Sequence, residues 1–172
     1  MLELVSNPIV RVAAAFAVLS GFGTAPVSGA EPRVMIDWNL APNLKVGSHK
    51  SGVACFPRSS LRWQEIAKPD PAIITAHLET LVALKFADPE VSGKLTSIKA
   101  SLCTPWLGVG EAEPKSAIKI SMRWTFREAD GTSSNKVVDT EVARKRYDLR
   151  FDPTMFMEAV ETSLREALSQ RR

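Results

Sequence analysis

The chain has 172 residues, a formal net charge of +3, and apolar and charged shares of 45% and 24%. These are the proportions of an ordinary globular domain, neither a disordered polyelectrolyte nor a membrane bundle. So slight a positive excess implies no nucleic acid and permits only weak attraction to anionic surfaces.

The N-terminus reads as a leader. Arg11 precedes the apolar run Val12–Phe22, and the small-residue segment Gly23–Ala30 then gives way to Glu31-Pro32-Arg33. A basic n-region, a short apolar h-region and a Ser28-x-Ala30 cleavage site make a secretory signal peptide over residues 1–30. The run falls short of the ~20 apolar residues a spanning helix needs, so the mature chain is expected to carry no transmembrane span. Residues 31–172 are expected to form a single α+β domain, periplasmic or secreted. In an oxidising compartment Cys55 and Cys103 are expected to pair, a cross-link worth about 4 kcal/mol for the loop between them.

Along the mature chain, Val34, Ile36, Trp38 and Leu40 alternate with Met35, Asp37 and Asn39, the pattern of a half-buried strand. Residues 41–52 hold Pro42, Asn43 and two glycines and read as irregular, with short extended pieces at Val53–Phe56 and Leu61–Gln64. Asp70-Pro71 opens a helix, since Asp70 can cap free amides and proline costs nothing at the first helical position. Ile74, Leu78, Leu81, Val82 and Lys85 carry it, with Ile73 and Leu84 widening the stripe, until Asp88-Pro89 stops it. His77 lies beside that stripe and reads as a packing residue.

A strand through Ile98, Ala100 and Leu102 ends at Thr104-Pro105. Ile118, Ile120, Met122, Trp124 and Phe126 then alternate strictly with Lys119, Ser121, Arg123, Thr125 and Arg127, one face in a core and one in water. Glu128–Thr132 is a turn, and a third strand runs from about Lys136 to Leu149. Matching apolar faces sets Phe126 opposite Val138, Trp124 opposite Thr140 and Met122 opposite Val142. It also sets Arg123 against Glu141. Asp152-Pro153 opens the last helix, with Phe156, Ala159, Val160, Leu164, Ala167 and Leu168 as its stripe and Ser163 on the same face. The expected architecture is a two-layer α+β sandwich: a mostly antiparallel sheet with two helices packed on one face, in β-α-β-β-β-α order.

Chemical motifs are sparse. His49 and His77 stand far apart and no Cys-x-x-Cys or His-x-x-x-His spacing occurs, so no metal site is expected. Adjacent Ser48-His49 is no catalytic dyad, Gly108-Val109-Gly110 is a loop and not a phosphate cradle, and Glu111 and Glu113 read as a solvated acidic loop. No catalytic residue and no cofactor is expected. Two features suit binding: the basic cluster Arg144-Lys145-Arg146 with Arg150, and Trp106, which with Trp38 and Trp63 lies near strand ends or irregular segments.

The early Gly52-Val53-Ala54-Cys55-Phe56-Pro57 segment, one helix, three strands and a terminal helix together resemble small envelope accessory proteins of Gram-negative bacteria. These include the lipopolysaccharide-assembly lipoprotein and the auxiliary lipoproteins of ABC transporters. The resemblance spans roughly Gly52 to Leu168, and the chain departs from the lipoprotein members in lacking a lipobox cysteine. It implies a non-enzymatic periplasmic accessory protein that binds an envelope protein or component, with peripheral membrane contact possible. The alternative from another class is a secreted inhibitor or effector acting on an extracellular enzyme.

Overall fold

Nine segments of regular backbone arise from these patterns in the structure, a computed structural model that describes residues 33–83, 90–105, 115–128, 130–145 and 151–170. They run β1 (Arg33–Asp37), β2 (Lys45–Ser51), β3 (Phe56–Arg62), a 3-10 turn (Trp63–Glu65), α1 (Pro71–Ala83), β4 (Glu90–Thr104), β5 (Lys115–Arg127), β6 (Ser133–Lys145) and α2 (Pro153–Ser169). Residues 1–30, with the expected leader, lie outside the described residues. So does the Asp88-Pro89 helix stop.

The six strands form one sheet in the order β3-β2-β4-β5-β6, with β1 also on β4. β4 organises it. Along one side β4 pairs antiparallel with β5. Along the other it pairs parallel with β1 over Glu90–Lys94 and with β2 over Ala100–Thr104. The α+β class with a mostly antiparallel sheet therefore holds, but the element order differs from the expected one. Residues 45–51 are not irregular: β2 pairs with β4 and forms an antiparallel hairpin with β3. Its residues are half-buried and polar, so burial imposes no apolar alternation on them. Gly47 is required there, because a Cβ would collide with the Ala100 carbonyl. β3, at the far edge, carries Pro57 and Arg58, residues that discourage further pairing.

The β5–β6 register also differs. Met122 faces Val138, Ile120 faces Thr140 and Ile118 faces Val142, while Trp124 faces Lys136 and Phe126 faces Ser134. The displacement is four residues. Being even, it keeps every apolar side chain on the expected face. Its cause is a tight turn. Glu128 and Gly131 close it with Glu128 N–H donating to the Thr132 carbonyl (2.9 Å) and Gly131 N–H to the Glu128 carbonyl (3.0 Å). The Asp130 carboxylate accepts from the Thr132 amide and hydroxyl, bonds that hold it below the usual carboxylate range. Ser133, Ser134 and Asn135 thus already belong to β6, and Glu141 faces Lys119 instead of Arg123.

Ile118, Ile120, Met122, Trp124 and Phe126 point into the core with Val91, Leu95 and Ile98 of β4. α2 packs on β5 and β6 and buries the stripe read from its sequence, Ser163 included, adding Met155. The Asp152 carboxylate accepts from the Thr154 amide, with Pro153 at the helix start. Trp124 is fully buried and donates its indole N–H to the Ser163 hydroxyl at 2.8 Å. Gly93 makes room for that indole, since a Cβ there would stand 2.5 Å from the ring.

α1 lies beside β1 and touches α2. Asp70 caps it, its carboxylate accepting from Ala72 N–H at 2.8 Å, and Ile74, Leu78 and Val82 are buried, whereas Ile73 is exposed. His77 reaches Glu161 of α2 at 2.9 Å, so it joins the helices. Burial raises the Glu161 carboxyl's proton affinity, but hydrogen bonds from His77 and Arg165 outweigh that and hold it below the usual glutamate value. Trp38 and Trp63 both pack against Phe156, at 5.5 and 5.8 Å between ring centroids. They anchor the core.

Candidate functional site

Alternation that buries one face of a strand exposes the other. On β5 the outward residues include Lys115, Lys119, Arg123 and Arg127, a cation at every fourth position along a central strand. Four residues of extended chain span ~14 Å, so these charges form a comb down the open face of the sheet.

The register of β4 against β5 doubles the comb. Lys94 stands directly opposite Arg123, and Lys99 directly opposite Lys119. On the other side of β5, Lys115 faces Lys145 of β6. Like charges opposite one another are unfavourable in a sheet. Among the described residues, Lys94, Lys99, Lys119 and Arg123 make no close ion pair or side-chain hydrogen bond, though Asp37 of β1 stands opposite Lys94 and Glu141 of β6 opposite Lys119. Arg127 differs, reaching Glu90 at 3.4 Å.

Between the cation rows lie rows of small side chains. Ser97 faces Ser121, and Ser101 faces Ala117. A bulge at Thr96, whose hydroxyl donates to the Ser121 carbonyl at 2.9 Å, adjusts β4 so that Lys94 and Lys99 both face outward. Two grooves open on this face. One of about 390 Å³ is lined by Met35, Asp37, Ser92, Lys94, Arg123 and Thr125 among others. The second, about 230 Å³, is lined by Lys99, Ser101, Ala117, Lys119 and Glu141 with Ala100. Each holds one cation pair. Acidic residues border the stripe: Asp37 on β1, Asp139 and Glu141 on β6. The far end is closed by the disulfide between Cys55 and Cys103, whose Cα atoms are 5.6 Å apart. Cys55 adopts φ 53° in the β2–β3 turn, a left-handed conformation that aims it at the end of β4.

The residues expected to bind are placed differently. Arg144 points to the α2 side of β6 and donates to Asp152 (3.3 Å), Thr154 (2.9 Å) and Glu158 (2.6 Å). It fastens the start of α2. Lys145 points the other way, toward the comb. Trp106, Arg146 and Arg150 lie outside the described residues, as do Glu111 and Glu113. The comb itself was visible in the sequence as the four-residue spacing of cations on the wet face of one strand. The doubling was not, because it depends on which β4 residue meets which β5 residue.

Among the described residues no group of three His, Cys, Asp or Glu side chains stands close enough to hold a metal ion. His49 bonds Thr104 at 3.3 Å, away from Ser48 chemistry. Lys68, the lysine whose proton affinity burial pushes down, donates to the Trp63 and Ile66 carbonyls and sits over the Trp63 ring, so it serves the core. No described helix is long and apolar enough to cross a membrane.

No family model and no curated protein matches this chain. A solved structure does resemble it. Protein XCC0632 from Xanthomonas campestris, which carries the DUF330 family label, aligns with a TM-score of 0.36 at 12% sequence identity, covering 82% of this chain and 84% of that one. A likeness at that level transfers no function.

Proposed function

We propose that this chain is a non-enzymatic binding protein of the bacterial envelope, periplasmic or secreted after loss of residues 1–30. Its two helices cover one face of the sheet and leave the other to a partner. The observation that carries the reading is the cation pairs Lys94–Arg123 and Lys99–Lys119, held opposite one another on an exposed face with one acid beside each pair, Asp37 opposite Lys94 and Glu141 opposite Lys119. Such pairs cost stability, roughly 0.2–1 kcal/mol each, and an anionic partner turns that cost into binding energy. The Cys55–Cys103 bridge supports an oxidising compartment.

Lys99→Glu/Arg123→Glu tests it. Each new carboxylate faces a lysine, Lys119 or Lys94, so the sheet gains two opposite-charge pairs while the comb loses its sign. Wild-type protein recovered from the native host's envelope should begin at or near Glu31 and retain a partner that the double variant loses. An intact Met1 start, or the same partner held equally by both proteins, would sink the proposal.

A further inference from the structure

The spacing of the open face says more than its sign. Outward rows alternate in kind along β4 and β5: Lys94 with Arg123, Ser97 with Ser121, Lys99 with Lys119, Ser101 with Ala117. Cation rows are therefore separated by a row of small, partly hydroxylated side chains, placing them ~14 Å apart along the strand. The stripe is two strands wide, ~10 Å, and the acids Asp37, Asp139 and Glu141 flank it. A flat anionic surface would press against those acids as well as the cations. A single linear chain laid between β4 and β5 would meet two cations at each row against one acid, Asp37 beside Lys94 and Glu141 beside Lys119.

The charge spacing then sorts linear chains. A polymer with an anion on every unit would set surplus charge on the serine and alanine rows. One whose acids are separated by neutral, hydroxyl-bearing units would meet cations and hydroxyls in turn. Both grooves have room for ring-shaped units, and each presents a cation pair to a carboxylate, with one acid, Asp37 or Glu141, at its border. Lysine, a compact point charge, makes up three of these four cations and needs no bidentate partner. Among the described residues the stripe carries none of the aromatic platforms on which nucleic-acid bases stack: Trp124 and Trp63 are buried, and Trp38 packs on Phe156.

We propose that the open face binds a linear acidic polysaccharide in which carboxylated sugars are separated by neutral ones, lying along β5 with its carboxylates on the Lys94–Arg123 and Lys99–Lys119 rows. This rests on the binding reading above and names its ligand class. Titration calorimetry of the full chain at low salt uses hyaluronan oligosaccharides as the probe, with neutral dextran and polyglutamate beside them. Hyaluronan should bind, dextran should not, and polyglutamate should bind more weakly per carboxylate. Lys99→Glu should weaken hyaluronan on the order of ten-fold. It should also raise the melting temperature, because it relieves a like-charge pair, so a folding failure cannot imitate the loss. Arg58→Glu on β3 makes the same net-charge change outside the stripe and should leave affinity nearly unaltered. Absence of hyaluronan binding, an equal loss in Arg58→Glu, or polyglutamate binding as tightly per carboxylate would overturn the ligand class. If the envelope partner is still lost in Lys99→Glu/Arg123→Glu while hyaluronan fails, the general reading survives and only the ligand falls.

Discussion

The two faces of β5 come from the same thirteen residues and obey opposite rules. Inward, Ile118, Ile120, Met122, Trp124 and Phe126 are almost wholly excluded from solvent, and the one polar group brought in by Trp124 finds Ser163. Outward, Lys115, Lys119, Arg123 and Arg127 repeat a charge that Lys94, Lys99 and Lys145 reinforce and that Glu90 and Glu141 offset at Arg127 and Lys119. Volume and hydrogen-bond satisfaction decide what is tolerated on the first face. On the second, a locally unfavourable charge arrangement persists because water screens it. The contrast marks the inner face as the source of stability and the outer face as the place where stability has been given up.

Two residues on opposite faces of β5 offer the widest separation of effects. Phe126→Ala should cost about 3–5 kcal/mol, since the vacated space is enclosed by packed side chains. Arg123→Ala, three positions away on the other face, should stay within about 0.5 kcal/mol. Urea denaturation of both variants checks this, and comparable losses would erase the distinction between the faces. The disulfide is the exception on the outer side, a structural element at the end of the comb. Cys55→Ser should lose up to ~4 kcal/mol, and native wild-type protein should resist a thiol reagent until reduced. Ready labelling of two thiols without reduction would contradict the bridge.

The smallest effect tests the contact between the helices. Glu161 is held below its ordinary value of 4.5, so its pairing with His77 and Arg165 contributes fully above that value and is lost as pH falls through the lowered one. The urea midpoint of Glu161→Gln should lie below wild type at pH 7, and the gap should close in acid beneath 4.5. A gap unchanged well below that pH would mean the carboxylate's charge plays no part.

Elements whose apolar spacing is enforced by burial were readable from the residues alone: α2, the buried triad Ile74, Leu78 and Val82 of α1, and the inward set of β5. The hairpin of β2 and β3 was not. Gly47-Ser48-His49-Lys50-Ser51 carries no periodic apolar signal, because that end of the sheet is only half-buried. The β5–β6 register went astray by four residues because matching apolar faces constrains parity and not offset; the offset belongs to the Asp130–Gly131 turn, which turns Ser133 straight into β6. For the site, consecutive cations such as Arg144 and Lys145 drew attention by adjacency in the chain, yet strand geometry sends neighbours to opposite faces. The comb is assembled across strands, and only the pairing of β4 with β5 brings its members together.

The placement of β4 also has a consequence in time. A chain made from its N-terminus presents β1, then the β2–β3 hairpin, then α1, and none of these contains the strand with which β1 and β2 pair in parallel. Cys55 likewise precedes its partner by 48 positions. Everything after β4 is different: β5, β6 and α2 each pack on an element just made. Synthesis of Glu90–Thr104 is thus the moment at which β1 and the β2–β3 hairpin acquire a template, and the oldest strands are the ones that wait longest for a place in the sheet.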